Sequence, residues 1–119
     1  TLRWSGLQGR AFIALAHPSG IREQVEQFVR EQQLDMPVRL ESHQLATIGR
    51  MVAAGLGLSV VPAMCTGPMQ EMGNACRKLG GPSIAREVGI LTRRGQPLSA
   101  AAAAMRAVLL SQFAARTAP

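Results

Sequence analysis

The chain has no tyrosine, one tryptophan, three phenylalanines, one lysine and two cysteines. So few aromatics argue against a nucleic-acid surface, where bases stack on rings set among clustered basic residues. The basic residues do not compensate. Twelve of the thirteen are Arg, for a net charge of +6, and they are scattered from Arg3 to Arg116; only Arg77-Lys78 and Arg93-Arg94 are adjacent. This reads as a solvated basic surface rather than a DNA contact. Cys65 and Cys76 are too few for a disulfide framework and form no CxxC. That excludes a zinc ribbon or a thioredoxin-type site and points to reduced thiols in a cytosolic protein. No run approaches the 18 or so apolar residues of a membrane span. The opening "TLRWSGLQGR" has neither an apolar signal region nor an initiator Met, so a fragment or a processed chain of cytoplasmic origin is expected.

What is present is the material of one ordinary globular domain: 119 residues, 47% of them apolar. Short apolar runs alternate with helical periods. "RAFIALA" (Arg10 to Ala16) reads as a buried strand stopped by "HPSG". Ser19 then caps a helix with Ile21, Val25, Phe28 and Val29 on one side. "VRLES" (Val38 to Ser42) alternates as a half-buried strand does. A second helix, capped by Ser42, carries Leu45, Ile48 and Val52 and ends at Gly55, which suits a left-handed C-terminal turn. "LSVV" reads as a fully buried strand closed by Pro62. This β-α-β-α-β series demands right-handed crossovers and a mostly parallel sheet flanked by helices, an α/β fold. Beyond it, "TGPMQEMGN" predicts a short helix or turn, "CRKL" (Cys76 to Leu79) and "EVGILTR" (Glu87 to Arg93) two further strands, and Ser99 to Arg116 an Ala-rich helix.

The Gly55-Leu56-Gly57 pair does not make a nucleotide site, because a phosphate loop follows a strand and opens a helix, whereas these glycines close one. Ligands of open α/β sheets bind beyond the carboxyl ends of the strands. Those ends are "AHPSG" (Ala16 to Gly20), "ESHQ" (Glu41 to Gln44) and "PAMCTG" (Pro62 to Gly67). The first two lead into helix N-termini, whose free N–H groups and dipole suit a carboxylate or similar anion; capping by Ser19 and Ser42 is compatible with that. His17, His43 and Cys65 fall one on each loop, which could be read as a metal site or a Cys-His nucleophile. Spacing gives only a shared sheet edge, and Glu41 is the one acidic neighbour, so hydrogen bonding to a ligand is the reading for the histidines and neither a metal nor a cofactor is assigned. Met64, Met69 and Met72 read as packing residues.

The order of "LQGRAFIAL", "GIREQVEQFVREQ", "MPVRLESHQLATIGRMVAAGLGLSVVP" and "REVGILTRRGQPLSAAAAAMRAVL" resembles the C-terminal part of bacterial LysR-type transcriptional regulators. The most specific stretch is "IGRMVAAGLGLSVVP" (Ile48 to Pro62). The resemblance implies a periplasmic-binding-protein-like (type 2) subdomain. Residues 1–94 would be the second subdomain of an effector-binding domain, with a hinge strand at Ile90 to Arg93. Residues 95–119 would be a helix returning to a first subdomain outside this chain. It also implies that His17, Pro18, Ser19, Ser42, His43 and Gln44 face a small-molecule effector, with Pro62 and Thr92 at neighbouring cleft positions. Small carboxylates and aromatic acids are frequent effectors in the family. The other implied partners are further copies of the protein and, through an N-terminal helix-turn-helix not in this chain, DNA. A transport solute-binding protein shares the architecture but would need an export signal. An enzyme would need an acid/base or nucleophile arrangement around His17, His43 or Cys65 that the sequence does not display. The final helix, with Leu109 and Phe113, is expected to pack on a partner molecule or on the chain's own sheet.

Overall fold

A computed structural model describes residues 1–82, 84, 85 and 88–117, with side-chain environments as far as Phe113. The chain forms two compact units, Thr1–Ala85 and Arg86–Pro119.

In the first unit, β1 (Leu2–Arg3) runs into a 3-10 turn (Trp4–Leu7) that buries Trp4 and Leu7. The apolar run after Arg10 becomes β2 (Phe12–Leu15), whose first three residues are buried. Ser19 has an extended backbone, and its side chain accepts from Arg22 N–H, starting α1 (Gly20–Glu31) as the sequence predicts. Val25 and Phe28 face inward, with Phe28 against Trp4 at a ring-centroid distance of 4.3 Å. The helix ends in a Schellman turn, Gln33 N–H to Arg30 O and Leu34 N–H to Val29 O, with Gln33 at φ 52°.

β3 (Val38–Ser42) pairs parallel to β2, with Ile13 opposite Leu40 and Leu15 opposite Ser42. It is an edge strand, and its residues Val38 to Glu41 are exposed rather than alternately buried. α2 (Leu45–Ala53) closes in a second Schellman turn at Gly55, φ 77°, with Gly55 N–H to Val52 O and Leu56 N–H to Met51 O. Gly57 then passes under β2 so closely that a Cβ there would sit 2.6 Å from Ala11 O. This approach lets Leu58 pair with β2: Leu58 N–H donates to Ala11 O and Leu58 O accepts from Ile13 N–H.

The "LSVV" run does not form the fully buried strand expected of it. Among the described residues only Leu58 bridges, parallel to Phe12, and residues 58–62 are half-buried rather than fully buried. Apolar composition reads as a strand whether or not a neighbour continues the ladder. The pairing order is therefore β3, β2 and the Leu58 segment, all parallel.

A 3-10 turn (Ala63–Cys65) leads into α3 (Thr66–Glu71). Gly49 lets α2 and α3 meet: a Cβ at Gly49 would lie 2.7 Å from Met69 Sδ. Met69 is buried and packs as read from the sequence, whereas Met64 is exposed. β4 is Leu79–Gly80, one residue into the tail of the predicted "CRKL" strand, and it pairs parallel with β1 in a separate two-stranded sheet. So the parallel pairing expected of an α/β fold is present, but in two short sheets. Helices cover both faces of the larger one. Phe12 and Ala14 join Trp4, Val25, Phe28 and Met36 in one cluster, while Ile13 and Ile48 are fully buried outside it, on the α2 side.

In the second unit, Val88 to Arg93 carries no strand ladder among the described residues; Glu87 of the predicted strand lies outside them. Ser99 caps α4 (Ala100–Thr117) through Ala102 N–H.

Candidate functional site

The β2–β3 register decides which predicted residues meet. Leu15 lies opposite Ser42, and Ala16 N–H donates to Ser42 O at 2.9 Å. The His17–Ser19 and Ser42–Gln44 loops therefore leave the sheet side by side. His17 and Pro18 are exposed, their peptide bond is cis, and Ser19 is half-buried. Ser42 does not cap α2 as expected. Its hydroxyl accepts from Gln44 N–H at 3.2 Å, a tight turn that moves the helix start on, so that Gln44 is the N-cap. Gln44 makes no side-chain cap bond, and it and His43 are exposed. Among the described residues no side chain accepts from the first turn of α2 at this edge, and its dipole favours negative charge.

Pro62 follows the Leu58 segment and starts the 3-10 turn by accepting from Cys65 N–H. Parallel pairing at Leu58 directs this segment toward the same edge. Cys65 and Cys76 are free thiols, both half-buried. Thr92 is exposed in the second unit, so the first unit does not gather it with the loops. Among the described residues no three His, Cys, Asp or Glu side chains are grouped to hold a metal ion. A groove of about 250 Å³ opens between α1 and β3, lined by Phe12, Val25, Val29, Met36 and Val38 with Arg22 and Glu26. None of the loop residues lines it.

Sequence reasoning missed the strongest polar feature beside these loops. Arg22 is buried, 7% exposed. Its Nε donates to Glu26 Oε1 at 2.6 Å, and its Nη1 donates to Leu15 O at 2.9 Å and to Glu41 Oε1 at 2.8 Å. Glu26 Oε2 lies 3.4 Å from His17 Nε2. Burial works against the Arg22 charge, but the bonds to Glu26 and Glu41 and their negative charge outweigh it and raise the pKa above the ordinary arginine value. Glu26 is held below the usual glutamate range, chiefly by the Arg22 hydrogen bond. A signal did exist: Arg22 falls on the inward stripe with Val25 and Val29, and a cation there demands a partner, with Glu26 four residues on.

A parallel α/β core with two helix N-termini beside one set of strand ends is the arrangement on which open α/β sheets place a ligand when they bind one. Residues 1–114 match the LysR substrate binding domain family, and the chain belongs to it. The chain is 29% identical over 109 residues to an uncharacterised HTH-type transcriptional regulator, YfeR, of Shigella flexneri. That alignment covers 92% of this chain and 35% of the relative, so the chain spans about a third of that protein's length.

Proposed function

We propose that this chain is the second-subdomain part of the effector-sensing region of a LysR-type transcriptional regulator. Its architecture is of the periplasmic-binding-protein-like type 2 kind, and its effector is a small anionic metabolite. The ligand lies in the cleft between this edge and a first subdomain, and its differential affinity for two arrangements of the subdomains changes DNA binding elsewhere in the protein. The observation that carries the reading is the β2–β3 register, which sets the His17–Ser19 and Ser42–Gln44 loops side by side with the uncapped α2 N-terminus. A carboxylate suits that end because N–H groups and dipole act together. His17 and His43 supply hydrogen bonds that fix its orientation, and Pro62 lies at the same edge.

The test is a thermal-shift and titration screen of the full-length protein, with succinate, malate, benzoate and salicylate as probes. At least one raises the melting temperature, and His43→Ala weakens its binding about five- to tenfold without changing the ligand-free melting temperature. No shift with any of the four, or His43→Ala binding as tightly as wild type, removes the reading.

A further inference from the structure

We propose that Arg22 is the positioning residue of the ligand edge, acting through Glu26 to orient the His17 imidazole so that Nδ1 is the ring atom offered to the ligand. This rests on the functional reading above in one respect, that the His17 loop meets a ligand.

Arg22 occupies the first turn of α1, where the helix dipole disfavours a cation. It is retained, buried, because its guanidinium answers three acceptors on three elements: Leu15 O at the end of β2, Glu41 on β3 and Glu26 on α1. A planar fork can satisfy several acceptors in fixed directions, which an ammonium cannot. The trio of Arg22, Glu26 and Glu41 carries one net negative charge. Such a group is poorly suited to hold a carboxylate itself; what it does is fix geometry at the strand ends.

That geometry reaches His17. Glu26 gives one oxygen to Arg22, and the other faces His17 Nε2 at 3.4 Å. A carboxylate beside one ring nitrogen selects the tautomer with the proton on that nitrogen. Beside that carboxylate the favoured neutral tautomer carries its proton on Nε2, and Nδ1 keeps its lone pair. The His17 side chain is half-exposed, 50%, so the ring is open to solvent at this edge. The group that complements Nδ1 is a hydrogen-bond donor. The edge thus selects a hydroxy- or amino-substituted carboxylate, with the acid at the α2 N-terminus and the donor at His17, over the plain acid.

The ligand-free test is nitrogen-15 NMR of the histidine rings in the full-length protein, with His17 assigned by His17→Ala. Wild type shows the Nε2–H form at His17. Glu26→Leu removes the acceptor and gives a mixture of tautomers. Arg22→Met, which lets Glu26 swing free, moves His17 the same way by a smaller amount, while His43 is unchanged in both. Glu26 is 32% and Glu41 46% exposed at the side chain, so both carboxylates can be hydrated when Arg22 is replaced. Wild-type His17 signals in both variants, with only a lowered melting temperature, overturn the positioning role. With ligand, malate should bind several-fold tighter than succinate, or salicylate than benzoate, and the preference should vanish in His17→Ala. Equal binding within each pair overturns the Nδ1 assignment. Failure of all four probes would overturn the effector reading alone, since the NMR result needs no ligand.

Discussion

At the scale of single residues, Glu26 ties stability to pH. The hydrogen bond from Arg22 is the largest influence on its carboxyl and lowers its pKa. Partial burial opposes this, and the charges of Arg22 and His17 add to it. The folded pKa is below the unfolded one, so on acidification the unfolded chain takes up this proton first. The stabilising contribution is therefore complete above the ordinary glutamate pKa of about 4.3 and is lost as the pH falls through the lower folded value. Arg22 stays charged throughout and adds no slope. Urea unfolding of wild type and Glu26→Gln at pH 7 and at pH 3 tests this. The wild-type advantage should be at most about 1 kcal/mol at pH 7, because the carboxylate is partly hydrated. It should shrink at pH 3. An advantage that is the same at both pH values would remove ionisation of Glu26 as its source.

At the scale of elements, the two helix N-termini of the edge differ. Ser19 closes α1 by accepting from Arg22 N–H, while Gln44 leaves the first turn of α2 without a side-chain acceptor. Gln44 has the extended backbone, φ −117° and ψ 126°, that a capping residue needs. Gln44→Asp should therefore stabilise the domain by about 1 kcal/mol while placing a negative charge where an anionic ligand is proposed to sit. Urea unfolding should show the gain, and titration with whichever carboxylate binds should show affinity lost by about tenfold. Stabilisation with unchanged affinity would move the ligand away from α2.

What could be read beforehand follows the range of the interactions. The Ser19 cap and the Gly55 turn are local, so residues a few positions apart specify them. The loops of the edge follow from a rule about parallel strands. The Arg22 network does not follow, because Glu41 reaches Arg22 only through β2–β3 pairing, 19 residues along the chain. Ser42 misleads for a related reason: a hydroxyl two residues before an N-cap makes a turn as readily as a cap, and only the backbone chooses.

At the scale of the whole chain, the two units differ in what they bury. The first has a core on each face of its larger sheet. In the second, every described residue from Val88 to Phe113 whose side chain is assigned is exposed, and Leu91 is 99% so. Val88, Ile90 and Leu98 accompany Leu91 on the irregular segment before α4, and Met105, Val108, Leu109 and Leu110 are on α4. So many exposed apolar residues in 26 positions exceed the scattered singles normal for a surface. An Ala-rich helix also draws most of its stability from the face it packs, not from propensity alone. Residues 1–119 expressed alone should therefore self-associate at tens of micromolar and bind a hydrophobic dye. The double variant Leu91→Ser, Leu109→Lys should reduce both, while leaving the melting of the first unit unchanged. If the proposed first subdomain packs on these residues, the full-length protein should bind little dye. Sedimentation and dye fluorescence decide between the outcomes. A monodisperse monomer of residues 1–119 that binds no dye would mean that these side chains need no cover, and the second unit would then have no reason to pack on a further subdomain.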